Sequence, residues 1–170
     1  MDSAFNEHII KKQPDLKSFL LKILIILSGL TVALFIMIFL TELLYGYNLL
    51  PAAGVLYGAW RLLGLLNIEY EYSIMQDEIY IDKIINRRRR KRLMQRSCKD
   101  FEILAPLSDK YKREFDSQCA VTHDCSSSPS AEGRWFFIFP GEKGRTKVIF
   151  EPNERMINDV KVYIRAKVME

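Results

Sequence analysis

The most reactive side chains in this sequence fall close together. Cys119, His123 and Cys125 are spaced by three residues and then by one. Two thiolates and an imidazole are ligands that zinc accepts, with Asp124 or Cys98 available as a fourth. Those spacings match no common zinc finger or ribbon, so the plain reading is three unrelated loop residues. A cysteine–histidine nucleophile would also need a third group to orient the imidazole, and the sequence announces none. Phosphate chemistry has no support: there is no GxxxxGK[ST] loop, and Gly141-Glu142-Lys143-Gly144 reads as a hairpin turn. The expectation is a protein that is not an enzyme, without catalytic residues, bound metal or cofactor.

A run of six cations is more conspicuous: Arg87, Arg88, Arg89, Arg90, Lys91 and Arg92. Apart from it, residues 67–170 hold 14 basic and 17 acidic residues, so the positive charge is concentrated in one stretch. Beside an anionic leaflet each such cation is worth about 1 kcal/mol. The run reads as a turn that presses a domain onto a membrane or binds acidic headgroups. The plain alternative is a solvated run that only sets topology. Nucleic-acid binding is not expected, because strand packing explains the nearby Tyr70, Tyr72 and Tyr80. Glu69 and Glu71 share the polar face of a strand and are expected to face solvent. His8 is expected in a solvated tail.

The chain that positions these groups has 170 residues and a formal net charge of +4. Hydrophobic residues make up 49%, which excludes wholesale disorder. Three cysteines are too few for a disulfide scaffold. The chain divides into two unlike parts. Ile23–Thr41 is a run of 19 residues without a charge. A bilayer core of roughly 30 Å needs about 20 helical residues, and Phe19–Leu21 add a turn if Lys22 snorkels. A signal-peptide core would be shorter and end at a small-residue cleavage site. Tyr47–Leu66 is a second candidate span, interrupted by Arg61 near one end, with a short interfacial segment as its alternative.

The short link at Glu42–Tyr47 makes the two runs an antiparallel transmembrane hairpin. Gly29 and Ala33 in the first run, and Gly54 and Gly58 in the second, have the spacing that lets helices approach. Lys11, Lys12, Lys17, Lys22, Arg61 and the basic run flank the hairpin, and the link has no cation. The positive-inside rule then places both termini in the cytoplasm of a multi-pass protein of the cell membrane. The division expected is a tail at 1–18, a hairpin at 19–66 (helices about 19–41 and 48–66), and a cytoplasmic domain at 67–170.

That domain opens with Ile68–Ile74, which alternates apolar and polar residues as a half-buried strand does. Ile79–Ile85 returns as a hairpin partner, Arg92–Cys98 follows as a strand, and Phe101–Ala105 as a short strand or a turn of helix stopped by Pro106. Residues 107–133 read as an irregular loop, with a strand possible at 111–116 or 118–122. Trp135–Phe139 and Arg145–Phe150 form a second hairpin. A helix capped by Asn153 ends the chain, with Met156, Ile157, Val160, Tyr163 and Ile164 on one face and Arg165 near its end. Strands closed by one terminal helix give an α+β, pleckstrin-homology-like (PH-like) layout: a curved antiparallel sheet or partial barrel with a helical cap.

IEYEYSI at 68–74, IDKIINRRRRKRLM at 81–94, FEILAP at 101–106 and IFEPNERM at 149–156 resemble an uncharacterised family of small bacterial membrane proteins. That family is a domain of unknown function found mainly in Gram-positive anaerobes. The resemblance implies a helical hairpin, then a cytoplasmic PH-like domain with fewer strands than the full seven. It carries over no catalytic residue. The partners expected are the lipid bilayer, anionic headgroups, and an unidentified protein partner or a second copy.

Overall fold

The computed structural model describes residues 6–40, 42–43, 45–164 and 167–169. Thr41, at the end of the first apolar run, and Arg165 lie outside them. The chain divides into two units, one of apolar helices and one rich in sheet.

The helical unit comprises Gln13–Ile68 and Ile85–Arg88. Helix α1, Leu16–Phe39, begins at Asp15, whose side chain accepts a hydrogen bond from the Leu16 amide at 2.9 Å. Its 24 residues rise about 36 Å. It is long and apolar enough to cross a membrane. Helix α2, Leu49–Leu65, has 17 residues and is the shorter of the two. The helices pack antiparallel. Gly29 lies where a Cβ would stand 3.0 Å from the Cβ of Ala59. Near the other end, the buried Asn48 amide donates to the Met37 carbonyl at 3.1 Å. Gly29 and Ala33 are buried in α1 and Ala52 in α2. The close approach expected of Gly54 and Gly58 is absent, because a Cβ on either would meet nothing within 4 Å.

The sheet-rich unit comprises the N-terminal segment to Lys12, Glu69–Ile84 and Arg89 onward. Sheet 1 has the order β1-β2-β3-β4, with β1 at Asn6–Lys11, β2 at Ile68–Met75, β3 at Glu78–Ile85 and β4 at Arg89–Ser97. The expected tail at 1–18 is therefore corrected: residues 6–11 are a strand, antiparallel to β2 from Asn6↔Ile74 to Lys11↔Glu69. His8 is in that strand, opposite Tyr72. The strand escapes sequence reading because its partner comes only after both helices.

Sheet 2 has the order β5-β7-β8-β6, with β5 at Ile103–Pro106, β6 at Val121–Asp124, β7 at Trp135–Gly141 and β8 at Gly144–Phe150. The loop expected at 107–133 thus contains a short helix, α3 (Lys112–Phe115), and strand β6. β6 runs parallel to β8, from Val121↔Thr146 to Asp124↔Ile149. Among the described residues, eight strands replace the expected shorter set.

The five apolar residues 135–139 are explained by burial on both faces of β7. Phe137 stacks on Phe101 at 4.3 Å and meets Phe150 edge-on at 5.3 Å. Phe150 in turn meets Tyr72 of sheet 1 edge-on at 5.7 Å. On the other face, Phe136 and Ile138 pack with Ile103, Tyr111 and Phe115. Helix α4, Glu154–Ile164, starts at Asn153, whose Oδ1 accepts from the Met156 amide at 2.8 Å. It buries Met156, Ile157, Val160 and Ile164, while Tyr163 stays 41% exposed.

Candidate interaction surfaces

The basic run does not form one turn. Asn86, Arg87 and Arg88 make the β3–β4 connection, and Arg89–Arg92 begin β4. The Arg88 amide donates to the Ile85 carbonyl at 3.1 Å, and Asn86 and Arg87 have φ of 52° and 54°. Two successive positive φ values with that bond define a type I′ hairpin turn. Asn tolerates this conformation, whereas Arg adopts it at a cost of about 1–2 kcal/mol.

The turn is fastened to the end of α2. The Asn86 amide donates to the Asn67 carbonyl at 2.8 Å. Gly64 leaves room for the Asn86 side chain: a Cβ there would lie 2.6 Å from its amide nitrogen. A pocket of about 120 Å³ opens between Trp60, Arg61, Asn67 and Asn86. Sequence reasoning missed Gly64 and Asn86. The one available signal was an asparagine placed where a hairpin needs positive φ.

Within β4 the arginines alternate in role. Arg90 reaches Glu71, Nη2 to Oε2 at 2.6 Å, as a charge contact without a directed hydrogen bond. Arg92 holds Asp82 through two hydrogen bonds, and its guanidinium lies 4.7 Å over the Tyr80 ring. Both acids are buried, at 3% and 4% exposure. The expectation that Glu71 faces solvent is thus corrected. Burial, first of all, and a hydrogen bond with Glu7 push its pKa up, and the Arg90 charge opposes them. Farther along this face Tyr80 donates to Glu78 at 2.5 Å and Gln95 donates to it at 2.9 Å. These two bonds hold the Glu78 carboxyl below its usual range. Arg89 and Lys91 are exposed as well.

The third candidate group is not brought together. Cys119 packs beside the cluster around Phe136, His123 is exposed on β6, and Cys125 is buried. Burial pushes the Cys125 thiol up to about 12 and does the same to Cys98. Both are protonated at neutral pH and so are poor nucleophiles. Among the described residues no three His, Cys, Asp or Glu side chains are placed to share a metal ion. Cys125 contributes its backbone instead: its carbonyl accepts the buried Tyr72 hydroxyl at 2.7 Å, tying β2 to the end of β6.

A cleft of about 450 Å³ lies between the edge strands of the two sheets. Leu93 and Arg96 form part of one wall, and Val121, His123 and Phe139 part of the other. The guanidinium of Arg96 lies 5.3 Å over the Phe139 ring.

Two four-stranded sheets sharing an aromatic core, with a terminal helix against them, are the architecture of a PH-like domain. The chain belongs to the family described as Bacterial PH-like domain (DUF6106), whose family model matches residues 1–170. No curated protein and no solved structure matches it.

Proposed function

We propose that the protein is a non-enzymatic, two-pass membrane protein that presents its PH-like domain at the cytoplasmic face to a protein partner or a second copy. The observation that carries the anchoring is the β1–β2 ladder. Its last pair, Lys11↔Glu69, joins the residues just before α1 to those just after α2. Backbone hydrogen bonds cannot be exchanged across a bilayer, so the helical segment must begin and end on one side. If α1 crosses, α2 returns. Its 17 residues sit at the lower end of the roughly 17–25 that a span needs. Leu24, Leu27, Leu34 and Ile38 of α1 are exposed large hydrophobics, an arrangement that lipid satisfies and water does not. The cations flanking the pair favour the cytoplasm for both termini.

The test is impermeant thiol labelling of intact cells, in a chain with Cys119 replaced by serine. A cysteine at Tyr47 should label from outside, and one at Ser130 only after lysis. Labelling of both positions from the same side would refute the two-pass anchor. Purification in mild detergent then addresses the module: a stoichiometric protein partner or a stable homo-oligomer supports it, and a bare monomer counts against it.

A second reading, recognition of anionic lipid by the basic turn, is favoured by one observation. Ile85–Arg88 clusters with the helices, and the Asn86–Asn67 bond holds it at the end of α2. Arg87 and Arg88 would then lie at headgroup level with Arg61. This reading predicts binding to phosphatidylglycerol vesicles that weakens with salt and with an Arg87→Glu/Arg88→Glu variant.

A further inference from the structure

We propose that β4 is a docking edge for an extended, acidic segment of a partner protein, which adds to sheet 1 as a fifth strand. The inference rests on the reading of the domain as an interaction module and names the surface and the chemistry of the partner. β4 is the last strand in its sheet, with β3 as its only strand neighbour among the described residues. An edge strand turns half of its N–H and C=O groups outward, ready to pair with another chain. This edge is nine residues long, and its second half opens on the cleft between the sheets. Leu93, 41% exposed, offers an apolar contact there.

Charge selects the occupant. Arg90 and Arg92 are committed to Glu71 and Asp82. Arg89 and Lys91 have no carboxylate within ion-pair distance among the described residues. Arg96 and Lys143 line the cleft, against the one carboxylate of Glu142. Two copies joined edge to edge through β4 would set arginine and lysine against arginine and lysine, which is destabilising. An extended segment with alternate acidic side chains would instead meet Arg89 and Lys91. Strand addition of this kind draws affinity from main-chain bonds and specificity from alternate side chains.

The probe is a fluorescent octapeptide of alternating glutamate and valine, titrated into the detergent-solubilised full chain and followed by anisotropy. Saturable binding is expected, with slower hydrogen exchange in β4. Affinity should fall about tenfold or more in Arg89→Glu/Lys91→Glu. The same peptide N-methylated at alternate amides keeps its charge and loses its outward donors, and should not bind. Equal binding of the N-methylated peptide would reduce the effect to charge attraction and overturn the proposal, as would no binding of the unmodified one. If either occurs while a stoichiometric partner still copurifies, the module reading survives and this surface is wrong.

Discussion

Arg92 reaches across from β4 to Asp82 of β3 with two nitrogens, Nε to Oδ1 at 2.9 Å and Nη2 to Oδ2 at 3.2 Å. The acid is buried and the arginine side chain is 52% exposed, so the pair lies at the boundary between interior and solvent. Removing the guanidinium leaves a buried carboxylate without its main partner. Arg92→Ala should therefore cost about 1–3 kcal/mol in chemical denaturation. Arg89→Ala, three residues earlier on the same strand and exposed, should stay within about 0.5 kcal/mol. Equal effects would mean that the six cations act as one interchangeable cloud.

Glu71 gives the stability a pH dependence. Its folded pKa lies above the ordinary carboxyl value, chiefly through burial. Between the two values the folded chain holds a proton that the unfolded chain releases, so stability falls as pH rises. The contribution is complete below the ordinary carboxyl pKa and is lost once the pH passes the raised value. Glu71→Gln should flatten this decline in thermal melts run from pH 4 upward (about the ordinary carboxyl value). An unchanged slope would assign the dependence to other groups.

The glycines of the helical unit separate by what surrounds them. Gly64→Ala would drive a methyl group into the Asn86 side chain and should loosen the β3–β4 turn. Gly29→Ala would press on Ala59. Gly54→Ala meets nothing and should be neutral or slightly stabilising, by up to about 1 kcal/mol from helix propensity. Thermal melts of the three variants in detergent check the order; a Gly54 variant as damaged as the Gly64 one would contradict this packing.

Arg87 sits at positive φ in a turn that favours Asn-Gly. Arg87→Gly should relieve a backbone strain of about 1–2 kcal/mol, offset by the side-chain interaction it gives up, while lowering affinity for phosphatidylglycerol vesicles. A gain in stability with no change in vesicle binding would count against a role for this residue at the membrane.

How much of this was legible in the sequence depends on where each partner lies. The period of Ile68–Ile74 declared a strand, and Asn153 declared a helix start, because both signals are local. β1 was not legible, since a six-residue strand ending in lysine has no pattern without β2 beside it. β6 is short, polar and parallel to a strand that follows much later, so the sequence offered a strand only at 118–122, overlapping its start. Arg89–Lys91 reads as turn because arginine and lysine seldom start a strand. Only Glu71 and Asp82, on neighbouring strands, explain their place. The resemblance to a PH-like family held over the whole chain. The reading of the cysteines failed to see that Cys125 serves through its carbonyl.

The β1–β2 ladder also sets an order of events during synthesis. β1 leaves the ribosome first and finds no mate until both helices and then residues 69–74 have followed it. The sheet-rich unit cannot complete its first sheet before the apolar segment is made, so biogenesis of the helices gates the maturation of the domain. A nascent chain arrested after α2 would hold β1 as an unpaired strand, available to chaperones or proteases.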